Sequence, residues 1–186
     1  MITDDRQLML RVKAGDQEAF RHIVEKYQMS IMNLCHRFIG NQEDAEEIAQ
    51  DVFIRLLRYA ETYEPRAKLS TFLYRIAMNL SLNRVRDNKW KRYVSFDSGR
   101  GDMPGLSVDS APPDALLEQQ EKSEAIRRVI DALPANQRSA VVLKRFEGLS
   151  YVEIAEVMGT SVSAVESLLF RAKQTLRKKL KEFVDD

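Results

Sequence analysis

The sequence predicts an all-α protein made of two small helical domains joined by a flexible linker. Apolar residues recur at intervals of three and four along most of the 186 residues, which is the spacing of helices that bury one face. No segment alternates for long between apolar and polar residues, as a half-buried strand would. Three of the seven glycines and three of the five prolines fall within residues 94–115, a segment without helical periodicity. We therefore expect a first domain over residues 1–95, a linker over 96–114 and a second domain over 115–186.

Helix-capping residues mark the helices expected in the first domain. Asp16 can cap a helix that Gly40 can end, and Asn41 can cap the next one, because these residue types satisfy backbone groups at helix ends. The helix after Asn41 begins with acidic residues and ends with arginines, as the helix dipole favours. Its expected apolar face consists of Ala45, Ile48, Ala49, Val52, Phe53, Leu56 and Leu57. Pro65 interrupts this pattern, and Ser70 can cap a further helix.

The second domain contains a predicted helix-turn-helix. Helices are expected over Leu116–Leu133 and Ala135–Glu147. Ser150 and Glu153 then form a capping box that begins a short helix, and Gly159 can adopt the left-handed conformation of a tight turn. A longer helix is expected from about residue 161 to residue 183. This order is typical of a DNA-binding helix-turn-helix, although an αα-hairpin within a helix bundle has the same local pattern.

A basic segment late in the second domain favours the DNA-binding interpretation. It contains six cations and no acid: Arg171, Lys173, Arg177, Lys178, Lys179 and Lys181. Cations that follow a recognition helix can contact phosphate groups. Within that helix, Arg171 can contact guanine or phosphate, and Glu166 can accept a hydrogen bond from a cytosine amine. Because Ser163 and Glu166 also have the spacing of a capping box, a structural role for Glu166 stays open.

The net charge of +1 conceals a segregation of charge along the chain. Residues 1–50 contain 6 basic and 9 acidic side chains, and residues 51–95 contain 10 basic and 4 acidic ones. Residues 96–133 are acidic again, with 4 basic and 8 acidic side chains, whereas residues 134–186 contain 9 and 7. A near-neutral total therefore does not exclude a polyanionic partner such as nucleic acid.

A polar stripe is expected on the helix that follows Ser70. Its members lie three or four residues apart: Arg75, Asn79, Asn83, Arg86 and Trp90, with Phe72, Tyr74 and Tyr93 nearby. Asparagine can hydrogen-bond with base edges, aromatic rings can stack on unpaired bases, and arginine can contact the backbone. The alternative is an ordinary solvated helix face, but asparagine is weakly unfavourable within a helix. The stripe therefore favours a nucleic-acid contact.

Several classes of protein are disfavoured by what the sequence lacks. Cys35 is the only cysteine, so the chain cannot form an internal disulfide, and a reducing compartment is expected. Cys35, His22 and His36 are too few for a closed zinc site. No signal peptide, membrane-inserted segment, nucleotide-binding loop or hydrolase motif is visible. We therefore expect a cytoplasmic protein that is not an enzyme and needs no cofactor or metal.

Two sets of motifs together resemble bacterial extracytoplasmic-function (ECF) sigma factors of RNA polymerase. The stretches DAEEIAQDVFIR (44–55) and STFLYRIAMN (70–79) are similar to sigma region 2. The Leu133-Pro134 pair, GLSYVEIAEVMGTS (148–161) and FRAKQTLRKKL (170–180) are similar to sigma region 4. The resemblance covers essentially the whole chain. It implies that the first domain is region 2 and the second is region 4, with the helix-turn-helix.

The resemblance implies three sets of site residues. The set that docks on the core polymerase is Asp44, Glu47, Gln50, Asp51, Phe53 and Arg55. The set that captures flipped bases of the minus-ten element is Phe72, Tyr74, Arg75, Asn79, Asn83, Arg84 and Arg86. The set that enters the major groove at the minus-thirty-five element is Ser161, Ser163, Glu166, Ser167, Phe170, Arg171 and Lys173. Some positions depart from the family pattern: Phe72 replaces the usual Trp, and Glu166 replaces a basic residue.

The resemblance also implies the partners. These are core RNA polymerase, through its β′ clamp and β flap, and promoter DNA, both as duplex and as non-template single strand. An anti-sigma factor that masks the polymerase-binding surfaces is implied as well. The function expected is that of an alternative sigma factor that directs polymerase to specific promoters and promotes strand opening. The alternative is a stand-alone helix-turn-helix regulator, which would need neither the acidic helix nor the Arg/Asn stripe.

Overall fold

The computed structural model describes residues 4–64, 68–97 and 126–182, of which 89–97 and 181–182 are described as backbone alone. All regular secondary structure in these ranges is α-helical, which confirms the predicted class. The N-terminal domain contains α1 (Asp5–Lys13), α2 (Gln17–Ile39), α3 (Gln42–Ala60) and α4 (Leu69–Asp97). The C-terminal domain contains α5, described over residues 126–131, then α6 (Ala135–Arg145), α7 (Tyr151–Met158) and α8 (Val162–Glu182). The predicted linker from residue 98 onward, and the start of the helix expected at Leu116, lie outside the described residues.

The predicted caps of α2 and α3 are confirmed. The Asp16 side chain accepts a hydrogen bond from the Ala19 backbone N–H at 3.1 Å, and Asn41 accepts one from Asp44 at 2.8 Å. Gly40 ends α2 in the left-handed conformation, with φ of 85°. A side chain at this position would be strained, so a glycine here allows the chain to reverse direction between α2 and α3.

Other boundaries differ from the prediction. α4 begins at Leu69, so Ser70 lies inside its first turn and is not its cap. α4 continues to Asp97, and α6 ends at Arg145, two residues before the expected end. The sequence reasoning missed α1, which Asp4 caps by accepting from the Arg6 N–H at 3.2 Å. This helix has only 9 residues, so its apolar period alone does not identify it, and it has no capping box of the kind that marked α7.

Helix α2 is the centre of the N-terminal domain, because it packs against α1, α3 and α4. In the C-terminal domain α6 and α7 both pack against α8. The two domains also contact each other: α4 packs against α7, and α2 against α6. As a result, one continuous apolar cluster includes residues of both domains, among them Phe38 and Leu73 from the first and Leu143 and Ile154 from the second. None of the described helices is long and apolar enough to cross a membrane.

The helix-turn-helix forms as predicted from α7 and α8. The Ser150 hydroxyl accepts a hydrogen bond from the Glu153 N–H at 3.3 Å, and the Glu153 carboxylate accepts one from the Ser150 N–H at 3.0 Å. This reciprocal capping box satisfies two backbone donors at the start of α7. Gly159 ends α7 with φ of 61°, which turns the chain toward α8.

We expect Ser150→Ala to lower the free energy of unfolding by about 1 kcal/mol, because it removes the side-chain acceptor at the start of α7. Chemical denaturation followed by far-UV circular dichroism measures this loss. Ser167→Ala is the matched control: Ser167 is exposed within α8, and its substitution should change stability by less than about 0.5 kcal/mol. Equal losses from the two substitutions would contradict the capping role.

Candidate nucleic-acid interface

Ser161 caps the start of α8. Its hydroxyl accepts a hydrogen bond from the Ala164 backbone N–H at 3.2 Å. The Ser163 hydroxyl lies 3.1 Å from that of Ser161. Glu166 therefore lies beyond the cap, and the capping box considered for Ser163 and Glu166 does not form. The Glu166 side chain is exposed to solvent and does not cap the helix.

The outer face of α8 is solvent-exposed along its first three turns. Its inner face is anchored by Val165 and Ala172, both fully buried. The residues predicted to contact the minus-thirty-five element are all exposed: Ser161, Ser163, Glu166, Ser167, Phe170, Arg171 and Lys173. Phe170 has 63% of its surface exposed, so its ring is accessible to a partner. This combination of hydroxyl, carboxylate, cation and aromatic ring can contact base edges, thymine methyl groups and phosphates.

A second polar face lies on α4. Arg75, Asn79, Asn83 and Arg86 are exposed, whereas the intervening Ala77 and Met78 are buried. The helix therefore buries one side and presents the predicted Arg/Asn stripe on the other. The side chain of Trp90, the last member of the stripe, lies outside the described residues. The two exposed amides can donate to and accept from base edges, with an arginine on either side of them along the helix.

The aromatic residues next to this stripe are less available than predicted. Phe72 is half-buried and stacks on Tyr59 of α3, with ring centroids 4.2 Å apart. Tyr74 is only 9% exposed, so its ring is not free to stack on a base in this conformation. Burial is the main reason that the pKa of Tyr74 is raised, and the nearby Glu147 carboxylate of the C-terminal domain raises it further. The prediction for Tyr74 is therefore incompatible with the conformation observed here, because the C-terminal domain and the core enclose the ring.

Arg84 differs from the other members of its predicted set because two carboxylates already pair with it. One guanidinium nitrogen contacts Asp44, and the other lies 2.8 Å from the Glu47 carboxylate. Asn88 adds a longer hydrogen bond to Asp44 at 3.4 Å. The hydrogen bond to Glu47, followed by the charge of Asp44, raises the pKa of Arg84 above its ordinary value. Arg84 therefore joins α4 to α3, and the structure does not present it as an open DNA-binding cation.

Helix α3 presents a mixed polar and apolar surface. Glu47, Gln50 and Arg55 are exposed, and Asp44 and Asp51 are half-buried. Phe53, predicted to dock on polymerase, is 8% exposed and belongs to the core; it contacts a partner only if the core rearranges.

The exposed apolar residues of α3 are instead Ile54 and Leu57, each 49% exposed. Sequence reasoning omitted Ile54 and assigned Leu57 to the buried face. The buried stripe passes through Ala49, Val52 and Leu56, and Phe53 and Leu57 lie on its margin, where only packing decides between burial and exposure.

No metal or thiol chemistry is visible in the described part of the chain. No group of three or more His, Cys, Asp or Glu residues there could hold a metal ion. Cys35 is fully buried, and burial raises the pKa of its thiol to about 11, which keeps it protonated and unreactive at neutral pH.

Two helical domains, one with an exposed helix-turn-helix and the other with an exposed Arg/Asn face, are typical of a nucleic-acid-binding protein. The family model of Sigma-70 region 2 matches residues 23–91, and that of Sigma-70, region 4, matches residues 123–176. The chain is 36% identical over 178 residues to the ECF RNA polymerase sigma factor SigW of Bacillus subtilis (strain 168), covering 92% of this chain and 94% of that protein. It is 30% identical over 189 residues to the ECF RNA polymerase sigma-E factor of Escherichia coli (strain K12), covering 97% and 96%.

The fold is similar to that of a solved structure of CnrH in complex with the cytosolic domain of CnrY. The TM-score is 0.69 at 24% sequence identity, and the similarity covers 96% of this chain and 97% of that one. The chain belongs to the ECF family of RNA polymerase sigma factors. It is an alternative sigma factor that directs RNA polymerase in transcription initiation. Because the matches extend over both domains, they support this function over that of a stand-alone helix-turn-helix regulator.

We expect Arg84→Met to lower the free energy of unfolding by about 1 kcal/mol, since it leaves two acidic side chains of α3 without their shared cation. The loss should shrink in 1 M salt, which screens the partly exposed charges. Urea denaturation at low and high salt measures both effects.

Arg86→Met is the matched control, because Arg86 lies on the same helix with 76% of its side chain exposed. Its substitution should leave stability nearly unchanged. If both variants lost the same stability, the bridge between α3 and α4 would not have the structural role assigned to it.

Proposed function

We propose that the two exposed polar faces are the two promoter-binding surfaces of this sigma factor. The observation that carries the proposal is their position on separate domains, one on α4 and one on α8, each with a buried opposite face. The α8 face, including Glu166 and Arg171, binds the minus-thirty-five element in the major groove. The α4 face binds the minus-ten element as an unpaired strand.

The amides of Asn79 and Asn83 are the proposed base-recognition groups on α4. Both are exposed, and each amide can both donate and accept a hydrogen bond. Arg75 and Arg86 lie beyond the two amides along the same stripe and can neutralise the phosphates of the captured strand. Capture of a flipped base offsets the few kcal/mol that unstacking costs. Strand opening by this route needs no nucleotide hydrolysis, so we assign the chain no catalytic role.

Helix α3 is the proposed docking surface for the β′ clamp of core polymerase. Its exposed acidic and amide groups, Glu47 and Gln50, lie on the same helix as the exposed Ile54 and Leu57. An amphipathic face of this kind suits a helical partner that offers both cations and apolar groups. Because Arg84 joins α3 to α4, docking on polymerase would also fix the position of the base-capturing stripe.

The remaining partners follow from the family. We propose that the C-terminal domain also contacts the β flap, and that an anti-sigma factor masks the polymerase-binding surfaces until it is released. The structure of RpoE from Bartonella quintana contains the anti-sigma factor NepR, which supports a partner of this type. We further propose a cytoplasmic location, where RNA polymerase and the chromosome are found.

We expect Asn79→Ala to impair promoter opening while duplex binding at the minus-thirty-five element stays unchanged. Loss of one amide contact to a base should reduce open-complex formation roughly tenfold. Opening is measured by the permanganate reactivity of unpaired thymines in the presence of core polymerase. Duplex binding is measured by a gel shift of the holoenzyme on a duplex that carries the minus-thirty-five element.

The control is Asn33→Ala, which alters an exposed asparagine of α2 away from the stripe. Equal weakening of duplex binding and opening by Asn79→Ala would rule out base capture by this residue.

We expect Glu166→Lys to change the base preference at the minus-thirty-five element, since the exposed carboxylate is an acceptor for a cytosine amine. Binding of the holoenzyme to a library of minus-thirty-five variants measures the preference. Glu156→Lys makes the same change of charge on α7, where Glu156 is also exposed. If both variants raised affinity for all sequences alike, Glu166 would act only through its charge and not through base recognition.

A further inference from the structure

Polar groups of two helices meet where α4 passes the start of α3. One guanidinium nitrogen of Arg84 contacts Asp44, and the other lies 2.8 Å from the Glu47 carboxylate. The side chains of Arg84 and Asp44 are 26% and 22% exposed, whereas that of Glu47 is 62% exposed. Asn88, one turn after Arg84, donates to the second Asp44 oxygen at 3.4 Å. Both carboxylate oxygens of Asp44 therefore accept hydrogen bonds from α4.

The α3 side of this bridge is held in place by the start of its helix. The Asp44 backbone N–H donates to the Asn41 side chain at 2.8 Å, so Asp44 lies in the first turn of a capped helix. The next residue, Ala45, is fully buried and anchors the same turn in the core. The dipole of α3 also favours carboxylates at this end. Asp44 therefore offers its carboxylate to Arg84 from a fixed position.

The α4 side of the bridge lies beyond the buried part of that helix. Among the α4 residues whose side chains are described, Ser81 is the last buried one. Leu82 and Val85 are half-buried, whereas Asn83 and Arg86 of the polar stripe are exposed. In residues 82–88 the described contacts that hold α4 against its neighbours are therefore partial apolar packing and the bridge to α3.

Arg84 lies on a different side of α4 from the stripe. Successive residues of a helix are turned by about 100°, so Arg84 is about 100° from Asn83 and about 200° from Arg86. The bridge can therefore hold the helix on its α3 side while both stripe residues stay accessible to a partner.

The charge around Arg84 disfavours a phosphate contact. Its single positive charge lies beside the two negative charges of Asp44 and Glu47. A phosphate that approached the guanidinium would therefore meet a cluster with a net negative charge, which repels it. Arg86 has no such surroundings, because its side chain is 76% exposed and its carboxylate neighbour, Asp87, is 3.9 Å away.

We propose that Arg84 is a positioning residue for base capture: it binds both carboxylates of α3, fixes the part of α4 that carries Asn83 and Arg86, and does not itself contact DNA. This inference rests on the proposed function of α4 as the minus-ten surface. A positioning residue and a phosphate contact differ in a measurable way. Loss of the first weakens binding of the unpaired strand at every salt concentration alike, whereas loss of the second also reduces the dependence on salt.

The test measures how purified holoenzyme binds a fluorescent single-stranded oligonucleotide. The oligonucleotide is first selected from a random pool by the wild-type holoenzyme, after removal of sequences that core polymerase alone binds. Fluorescence anisotropy at several salt concentrations gives the affinity and its salt dependence. Arg84→Met should weaken binding about three- to fivefold, the range that a partly exposed ion pair supports, and leave the slope of log affinity against log salt unchanged. Arg86→Met should reduce the magnitude of that slope by about 0.7, the value for one phosphate contact on a single strand.

Exchange of the charges tests the bridge itself. Arg84→Glu places a third carboxylate beside Asp44 and Glu47 and should weaken binding more than Arg84→Met does. Adding Asp44→Arg returns a cation to the centre of the cluster, between Glu47 and the carboxylate introduced on α4. This double variant should recover most of the lost affinity. Because the holoenzyme is assembled and purified before the measurement, an effect of Asp44→Arg on polymerase docking does not enter the result.

Arg21→Met is the matched control, because Arg21 is an exposed cation whose ion pair with Glu18 stays within α2. It should change neither the affinity nor the slope. Unchanged affinity in Arg84→Met would overturn the positioning role, and so would a slope that falls as in Arg86→Met, which would assign Arg84 to a phosphate. No recovery in the double variant would also contradict it. Where the charge-exchanged chains do not assemble with core polymerase, Arg84→Met alone decides.

The wild type separates this inference from the proposed function. If its holoenzyme selected no single-stranded sequence in preference to core polymerase alone, base capture by α4 would itself be wrong. If the wild type bound a selected sequence and Arg84→Met bound it equally well, only the role of Arg84 would be wrong.

Discussion

The packing of α4 against three other helices is the constraint on which both proposed N-terminal surfaces depend. α4 contacts α2 and α3 within its own domain and α7 from the other. Its apolar residues, such as Leu73 and Ala77, are fully buried by these neighbours. The solvent-facing side of α4 carries Asn79 and Asn83. The position of the predicted base-recognition groups is therefore a consequence of core packing. Because the amides are exposed, no polar group of theirs has to be buried.

Charge along the chain becomes informative only when the partners of each charge are known. The basic segment around Arg84 and Arg86 suggests two equivalent DNA contacts, yet one guanidinium is held by Asp44 and Glu47 and the other is exposed. Electrostatic attraction to phosphate is weakened for a cation that already has two carboxylate partners. The local structure thus divides this basic segment into Arg84, which joins α3 to α4, and Arg86, an exposed cation within the stripe.

Local chemistry predicted most of the helix ends, because a cap depends on residues within one turn. Asp16, Asn41 and Ser150 cap helices as expected, and Gly40 and Gly159 end them. The exposed faces of α4 and α8 were predictable for a similar reason, since helical periodicity divides buried from exposed positions. Residues at the margin of a stripe were not predictable.

The contacts between the two domains could not be predicted from the sequence either. Arg37 and Glu147 are separated by 110 residues, and neither belongs to a motif, so the sequence gives no reason to pair them. Arg138 is similar: in the sequence it is an ordinary cation of an amphipathic helix, yet it is buried over Phe38. The pairing depends on how two preformed surfaces fit, which no local pattern records. The burial of Tyr74 was not predictable for the same reason. Its residue type suggests base stacking, but its surroundings in the folded chain bury the ring.

The enclosure of Tyr74 connects the domain interface with promoter recognition. Tyr74 is only 9% exposed, so its ring could stack on an extruded base only after a rearrangement of the residues around it. Separation of the two domains would also expose apolar residues that both bury together, which water disfavours. The same contacts that stabilise the chain therefore limit the access of a base to the Tyr74 ring.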